Sequence, residues 1–248
     1  MTLKIKYKHK NMKQIWLYTI CLCLVGLFAC QQEDLPSVEE TGFLSLENIS
    51  VEEANTESIS TRAVDNDLYV EIWDETGTSQ VGNTYEPGKI PAKIELEPGN
   101  YTLKAYNAAY NASWGNNEKG EAAYYIDEQP FTIEGGKVNY LTVQVPMINV
   151  GVLLSLPDDF ETYFPTSTFT VTYNDDNGNS RVVVIENGEK AYFPVVTSTS
   201  LSYNLQVINT DGEESSSNGN IPKKGEIKTG TIYEINYDYE TQTLRVIE

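Results

Sequence analysis

The chain has 248 residues and sets 36 acidic side chains against 17 basic ones, a formal net charge of −19. Such a surface excludes nucleic acid and anionic lipid faces as partners. One histidine and three cysteines leave little from which a Ser-His-Asp triad, a Cys-His pair or a zinc site is built.

Lys4, Lys6, Lys8, Lys10 and Lys13 precede an apolar run from Ile15 to Phe28 that is too short to span a bilayer comfortably. The spacing predicts a signal peptide over residues 1–29. Leu27-Phe28-Ala29-Cys30 reads as a lipobox, in which a small residue precedes a cysteine whose thiol takes a diacylglyceryl group. The mature chain is then expected to begin at Cys30 and to be tethered to a membrane by its acyl chains. The competing reading is a generic signal peptide in which Cys30 is incidental. Loss of the leader removes five lysines, His9, Cys21 and Cys23, leaving 12 basic residues against 36 acidic ones, a formal charge of −24. With Cys30 consumed by lipid, no thiol remains for a disulfide, a metal or a nucleophile. No catalytic residue, metal site or cofactor is predicted, and no pair of carboxylates stands out for acid-base chemistry. Gln31-Gln32-Glu33-Asp34 comes next. It resembles the acidic export signal of Bacteroidetes lipoproteins, which implies the outer face of the outer membrane. Residues 30–41 read equally as a solvated tether.

The rest alternates at a period of two. Strands are expected at Phe43 to Ile49, at Leu68 to Trp73, around Ile94 and Leu96, at Tyr101 to Ala105, at Ala122 to Ile126, Phe131 to Ile133, Val138 to Val145 and Val150 to Leu156. Glu97-Pro98-Gly99-Asn100 predicts a tight turn with Gly99 at positive φ, and Gly135-Gly136 a hairpin. A second group covers Thr168 to Tyr173, Arg181 to Ile185, Ala191 to Val195, Leu201 to Asn209, Thr231 to Tyr239 and Leu244 to Ile247. Asp176-Asn177-Gly178, Asn187-Gly188 and Asp211-Gly212 punctuate it. The polar, serine-rich stretch Glu213 to Asn220 reads as a mobile loop. No window shows a helical period. An all-β chain of two tandem sandwiches is expected, one over 42–148 and one over 149–248.

Thr61-Arg62-Ala63-Val64-Asp65, Leu68-Tyr69-Val70-Glu71-Ile72, the run Leu96 to Tyr106 and Asn149-Val150-Gly151-Val152 together carry a resemblance. They are similar to a Bacteroidales lipoprotein family, domain of unknown function 4493. More distantly the chain resembles fimbrillin-like proteins of type V pili. That resemblance implies transthyretin-like or Ig-like sandwiches, lipidation, and a part in pili or adhesion. It also implies that an arginine-specific protease removes a leading strand, so that the vacated groove accepts a strand from the next subunit. Arg62-Ala63 matches such a cleavage site in residue type, and an ordinary exposed linker is the alternative. The tail Thr231 to Ile247 reads either as a donor strand or as the completion of the second sandwich.

Two local features invite sharper readings. Asn174 to Asn179 is rich in oxygen ligands, but Gly178 falls at the wrong offset for an EF-hand loop, so a hairpin turn is expected there. The loop Asn107 to Glu121 carries Tyr110 and Trp114, whose faces suit sugar rings or peptides; alternatively Trp114 caps the first core. The expected role is non-enzymatic: an outer-membrane, outward-facing lipoprotein that is structural or adhesive, with pilus subunits, surface proteins or glycans as partners. The alternative is a lipoprotein that captures glycan or peptide for an uptake partner.

Overall fold

The structure, a computed structural model, describes residues 40–52, 67–241 and 243–247. Among these residues no helix is long and apolar enough to cross a membrane. Among the described residues, six strands form the first half: β1 (Gly42–Glu52), β2 (Leu68–Asp74), β3 (Ile94–Leu96), β4 (Gly99–Asn107), β5 (Tyr125–Ile133) and β6 (Val138–Pro146). They make two sheets, ordered β3-β1-β6 and β2-β4-β5. Alternation decides which faces meet. Leu68, Val70 and Ile72 of β2 and Leu103 and Ala105 of β4 point at Leu44 and Ile49 of β1 and at Val143 and Val145 of β6, closing a sandwich core.

Eight strands form the second half: β7 (Val150–Ser155), β8 (Thr166–Asn174), β9 (Ser180–Val184), β10 (Lys190–Phe193), β11 (Ser200–Ile208), β12 (Glu214–Ile221), β13 (Ile232–Asp238) and β14 (Thr243–Ile247). Their sheets run β10-β7-β13-β14 and β12-β11-β8-β9, around a core that includes Val152, Phe169, Val171, Phe193, Leu205 and Tyr233. The architecture is all-β, as the alternation predicts.

The halves repeat one topology. In the first, β1 lies between antiparallel β3 and parallel β6; in the second, β7 lies between antiparallel β10 and parallel β13. Likewise β4 lies between β2 and β5, and β11 between β8 and β12. The second half adds β9 and β14 as outer strands.

Several expectations are corrected. Glu213 to Asn220 is not a loop: β12 pairs with β11 along its length, from Leu201↔Ile221 to Ile208↔Glu214. An edge strand is held by its main chain, so its side chains can stay polar, and only Ile221 of β12 is buried. Phe131 to Ile133 belongs to one longer strand, β5, which tolerates Pro130 because it too is an edge. Gly135-Gly136 is no hairpin, since it carries the chain from β5 in one sheet to β6 in the other. Glu97 to Asn100 also crosses between sheets. Its Gly99 is not among the positive-φ residues and opens β4 opposite Ile133. The turn is held instead by the Tyr101 hydroxyl, which donates to the Glu97 carbonyl at 2.8 Å. Thr231 to Ile247 lies within the second sandwich, as β13 and β14.

Candidate functional site

Where the halves meet, polar side chains staple backbone that would otherwise lose its partners. Asn149 is 8% exposed, accepts from the Ala123 N–H at 3.0 Å and donates to the Glu121 carbonyl at 2.8 Å. Asn107 does the same one step away, accepting from Tyr124 N–H and donating to the Ala122 carbonyl. Beside Asn149, a Cβ at Gly151 would stand 3.0 Å from Ile232 and 3.2 Å from the Tyr192 ring, so only glycine lets these side chains close on the strand. Ile232 packs into the first core from β13.

The loop after β4 reaches across to the second half. Asn117 N–H donates to the Val182 carbonyl, Val182 N–H donates to the Asn116 side chain, and Tyr192 N–H donates to the Lys119 carbonyl at 2.7 Å. Lys119 also pairs with Glu189. Beside these bonds lies a cleft of about 750 Å³.

Tyr110 and Trp114 line this cleft on one side, and the turn after β8 lines it on the other. Tyr110 sits on a one-turn 3-10 helix (Ala108–Asn111) and stacks on Tyr125, centroids 4.1 Å apart and planes 5° apart. Trp114 is half-buried and lies over Gly120, where a Cβ would come within 3.2 Å of the indole; it is not part of the first core. The Asn174 to Asn179 segment is the expected hairpin turn. The Asp175 carboxylate accepts from the N–H groups of Asn177 and Asn179, from the Asn179 amide and from the Tyr173 hydroxyl. The Asn179 amide and the other donors hold the Asp175 pKa below its ordinary value, while burial and Asp175 push the Tyr173 phenol up to about 12. Among the described residues no group of three or more His, Cys, Asp or Glu is placed to hold a metal ion.

Arg181 is a cleft residue that the sequence reading passes over. It is 5% exposed on β9, its Nη2 donates to the Tyr192 carbonyl, and its guanidinium lies 4.5 Å over the Phe193 ring. Its Nε has no hydrogen-bond partner among the described residues. Burial pushes its pKa down, and the nearby Glu118 charge opposes that. The signal was present in the spacing: Arg181 falls in phase with buried Val183 and Ile185, a cation on the core face of a strand. Cys30, Arg62 and Ala63 lie outside the described residues.

The sequence model of the family described as "Domain of unknown function (DUF4493)" matches residues 40–248. The chain belongs to that family. No curated protein matches this DUF4493 chain. Among solved structures it is similar to the fimbrial anchor protein Mfa2 from Porphyromonas gingivalis, at 13% identity and a TM-score of 0.40, covering 84% of this chain and 95% of that one. It is also similar to a fimbrilin from Porphyromonas gingivalis, at 12% identity and a TM-score of 0.44, covering 84% of this chain and 98% of that one. Likeness at this level assigns the DUF4493 chain neither ligand nor partner.

Proposed function

We propose that the protein is an outer-membrane surface lipoprotein with a structural or adhesive role, anchored through Cys30 and built of two sandwich domains, 42–148 and 149–248. The observation that carries the reading is the position of β1. It is the middle strand of its sheet, and it is joined to β2 by the segment that contains Arg62-Ala63. Removing it would strip β3 and β6 of their pairing partner and uncover the pockets that Leu44 and Ile49 fill. Such a groove is a template for strand addition, which suits a subunit that docks with others. Two measurements test this. Cys30→Ala should abolish incorporation of labelled palmitate, and equal labelling removes the anchor. Digestion by an arginine-specific protease should cut at Arg62 and yield subunit ladders on unboiled gels; a cut product that stays monomeric makes Arg62 an ordinary linker residue.

The cleft favours a second reading, capture of a glycan or peptide at the surface. Aromatic faces and amides converge there on a scaffold fixed by main-chain hydrogen bonds, which is how ligand sites on rigid folds are made. The two roles are compatible in one adhesive protein.

A further inference from the structure

The cleft wall holds a buried cation that makes no ion pair among the described residues, although the Glu118 charge acts on it from farther off. No ion pair involves Arg181 among the described residues; its guanidinium donates to the Tyr192 carbonyl and lies over the Phe193 ring, and its Nε is unpartnered. A buried charge is ordinarily paired and fully hydrogen-bonded, because desolvation without compensation is expensive. Here the compensation is incomplete: the Nε lacks a partner, and in a chain whose acidic residues outnumber its basic ones by 19 the nearby Glu118 does not close to an ion pair. The residue faces the same cleft as Trp114 and Tyr110.

We propose that this cleft binds an acidic saccharide, with the sugar carboxylate paired to the Arg181 guanidinium and a ring face laid against Trp114. The inference rests on the second reading above and names its ligand class. Arginine offers a planar fork that matches a carboxylate, and an indole face suits the apolar face of a pyranose. Asn177 at the hairpin tip and Ser113 in the facing loop supply polar edges for hydroxyls. A peptide fits less well. Recognition of an extended peptide uses an unpaired strand edge, and at Val182, the β9 residue against the loop, both main-chain groups are already bonded to Asn116 and Asn117. The strongly negative charge of the chain repels anions at long range, so a uronate is held only where a local cation outweighs that field.

The test uses the full chain extracted in detergent, titrated calorimetrically with trigalacturonate and with the same trisaccharide after carboxyl reduction. The expected result is at least tenfold tighter binding of the uronate, weakening as salt is raised. Arg181→Gln should erase the preference, and Trp114→Ala should weaken both ligands together. Should the Gln variant fail to fold, Arg181→Lys replaces it and is expected to retain only part of the preference. A direct readout is the Arg181 Nε–H resonance of the unmutated chain, which should shift with the uronate and stay still with the reduced sugar. Equal binding of the two sugars overturns the acidic-ligand inference and leaves saccharide capture standing. Binding of neither sugar, or displacement of the uronate by an acidic peptide of tenfold higher affinity, overturns both the inference and the saccharide form of that reading.

Discussion

The first strands of the two halves occupy the same slot and are held in it differently. β7 buries Val150, Val152 and Leu154, and the chain that leaves it forms a four-residue helix (Phe160–Tyr163) whose Phe160 is 1% exposed and packed into the second core. β1 contributes Leu44 and Ile49 to its cores and leads into the Arg62 segment. The partner strands differ as well: β13 is flanked on its far side by β14, whereas among the described residues β6 ends its sheet. The same topology therefore gives one strand, β7, followed by a connection that packs into its core, and one, β1, whose removal would leave a slot between β3 and β6.

Breaking the packing of that connection should have the largest effect. Phe160→Ala removes an aromatic side chain from a closed core and should destabilise the second half by about 3–5 kcal/mol, read from denaturant unfolding. A loss below about 1 kcal/mol would mean that the helix does not secure β7. Next is the junction. Asn149→Ala leaves the Ala123 N–H and the Glu121 carbonyl without their side-chain partner and should lower stability by about 1–3 kcal/mol. A change confined to one unfolding transition would show that the two halves are coupled weakly.

A smaller effect separates two turns that look alike in sequence. Gly77 has φ +67°, so Gly77→Val should be destabilising by more than about 1 kcal/mol. Gly99 is extended, and the atoms nearest an added Cβ are those of Tyr101 at 3.7 Å or more, so Gly99→Val should fall within about 0.5 kcal/mol of neutral. Reversed magnitudes would refute the assignment of backbone geometry. The smallest effect belongs to Asp74 in the same exposed turn. The Thr78 N–H and then the Thr76 hydroxyl pull its pKa from 3.8 down to about 2. Because the folded-state pKa is depressed, the contribution is fully present above about pH 4 and is lost as pH falls through about 2. An Asp74 carboxyl titrating near 3.8 in the folded chain, followed by NMR, would remove it.

The strand framework was legible because a half-buried strand writes its inward face into every second residue: Leu68, Val70 and Ile72, or Phe169, Val171 and Tyr173. β12 was illegible for the same reason, since its pairing uses backbone groups that carry no sequence signature. Which strands a turn joins was equally hidden. Gly135-Gly136 and Asp211-Gly212 look interchangeable, yet the first changes sheet and the second makes the β11–β12 hairpin. Of the site, the aromatic loop and the hairpin turn could be picked out by composition. Their convergence on one cleft could not, because it depends on how the loop bonds to Val182 and Tyr192.

Strand exchange tests the difference between the halves most directly. The full chain in detergent is cut at Arg62 with an arginine-specific protease and incubated with a fluorescent peptide of the sequence Gly42–Glu52. Labelled peptide is expected to enter the folded product and displace the native strand, while a chain with an arginine engineered at position 157, in the connection after β7, does not exchange a Val150–Ser155 peptide after the same treatment. Failure of the first peptide to enter, or equal entry of both, would contradict the proposal that β1, and not β7, is exchangeable.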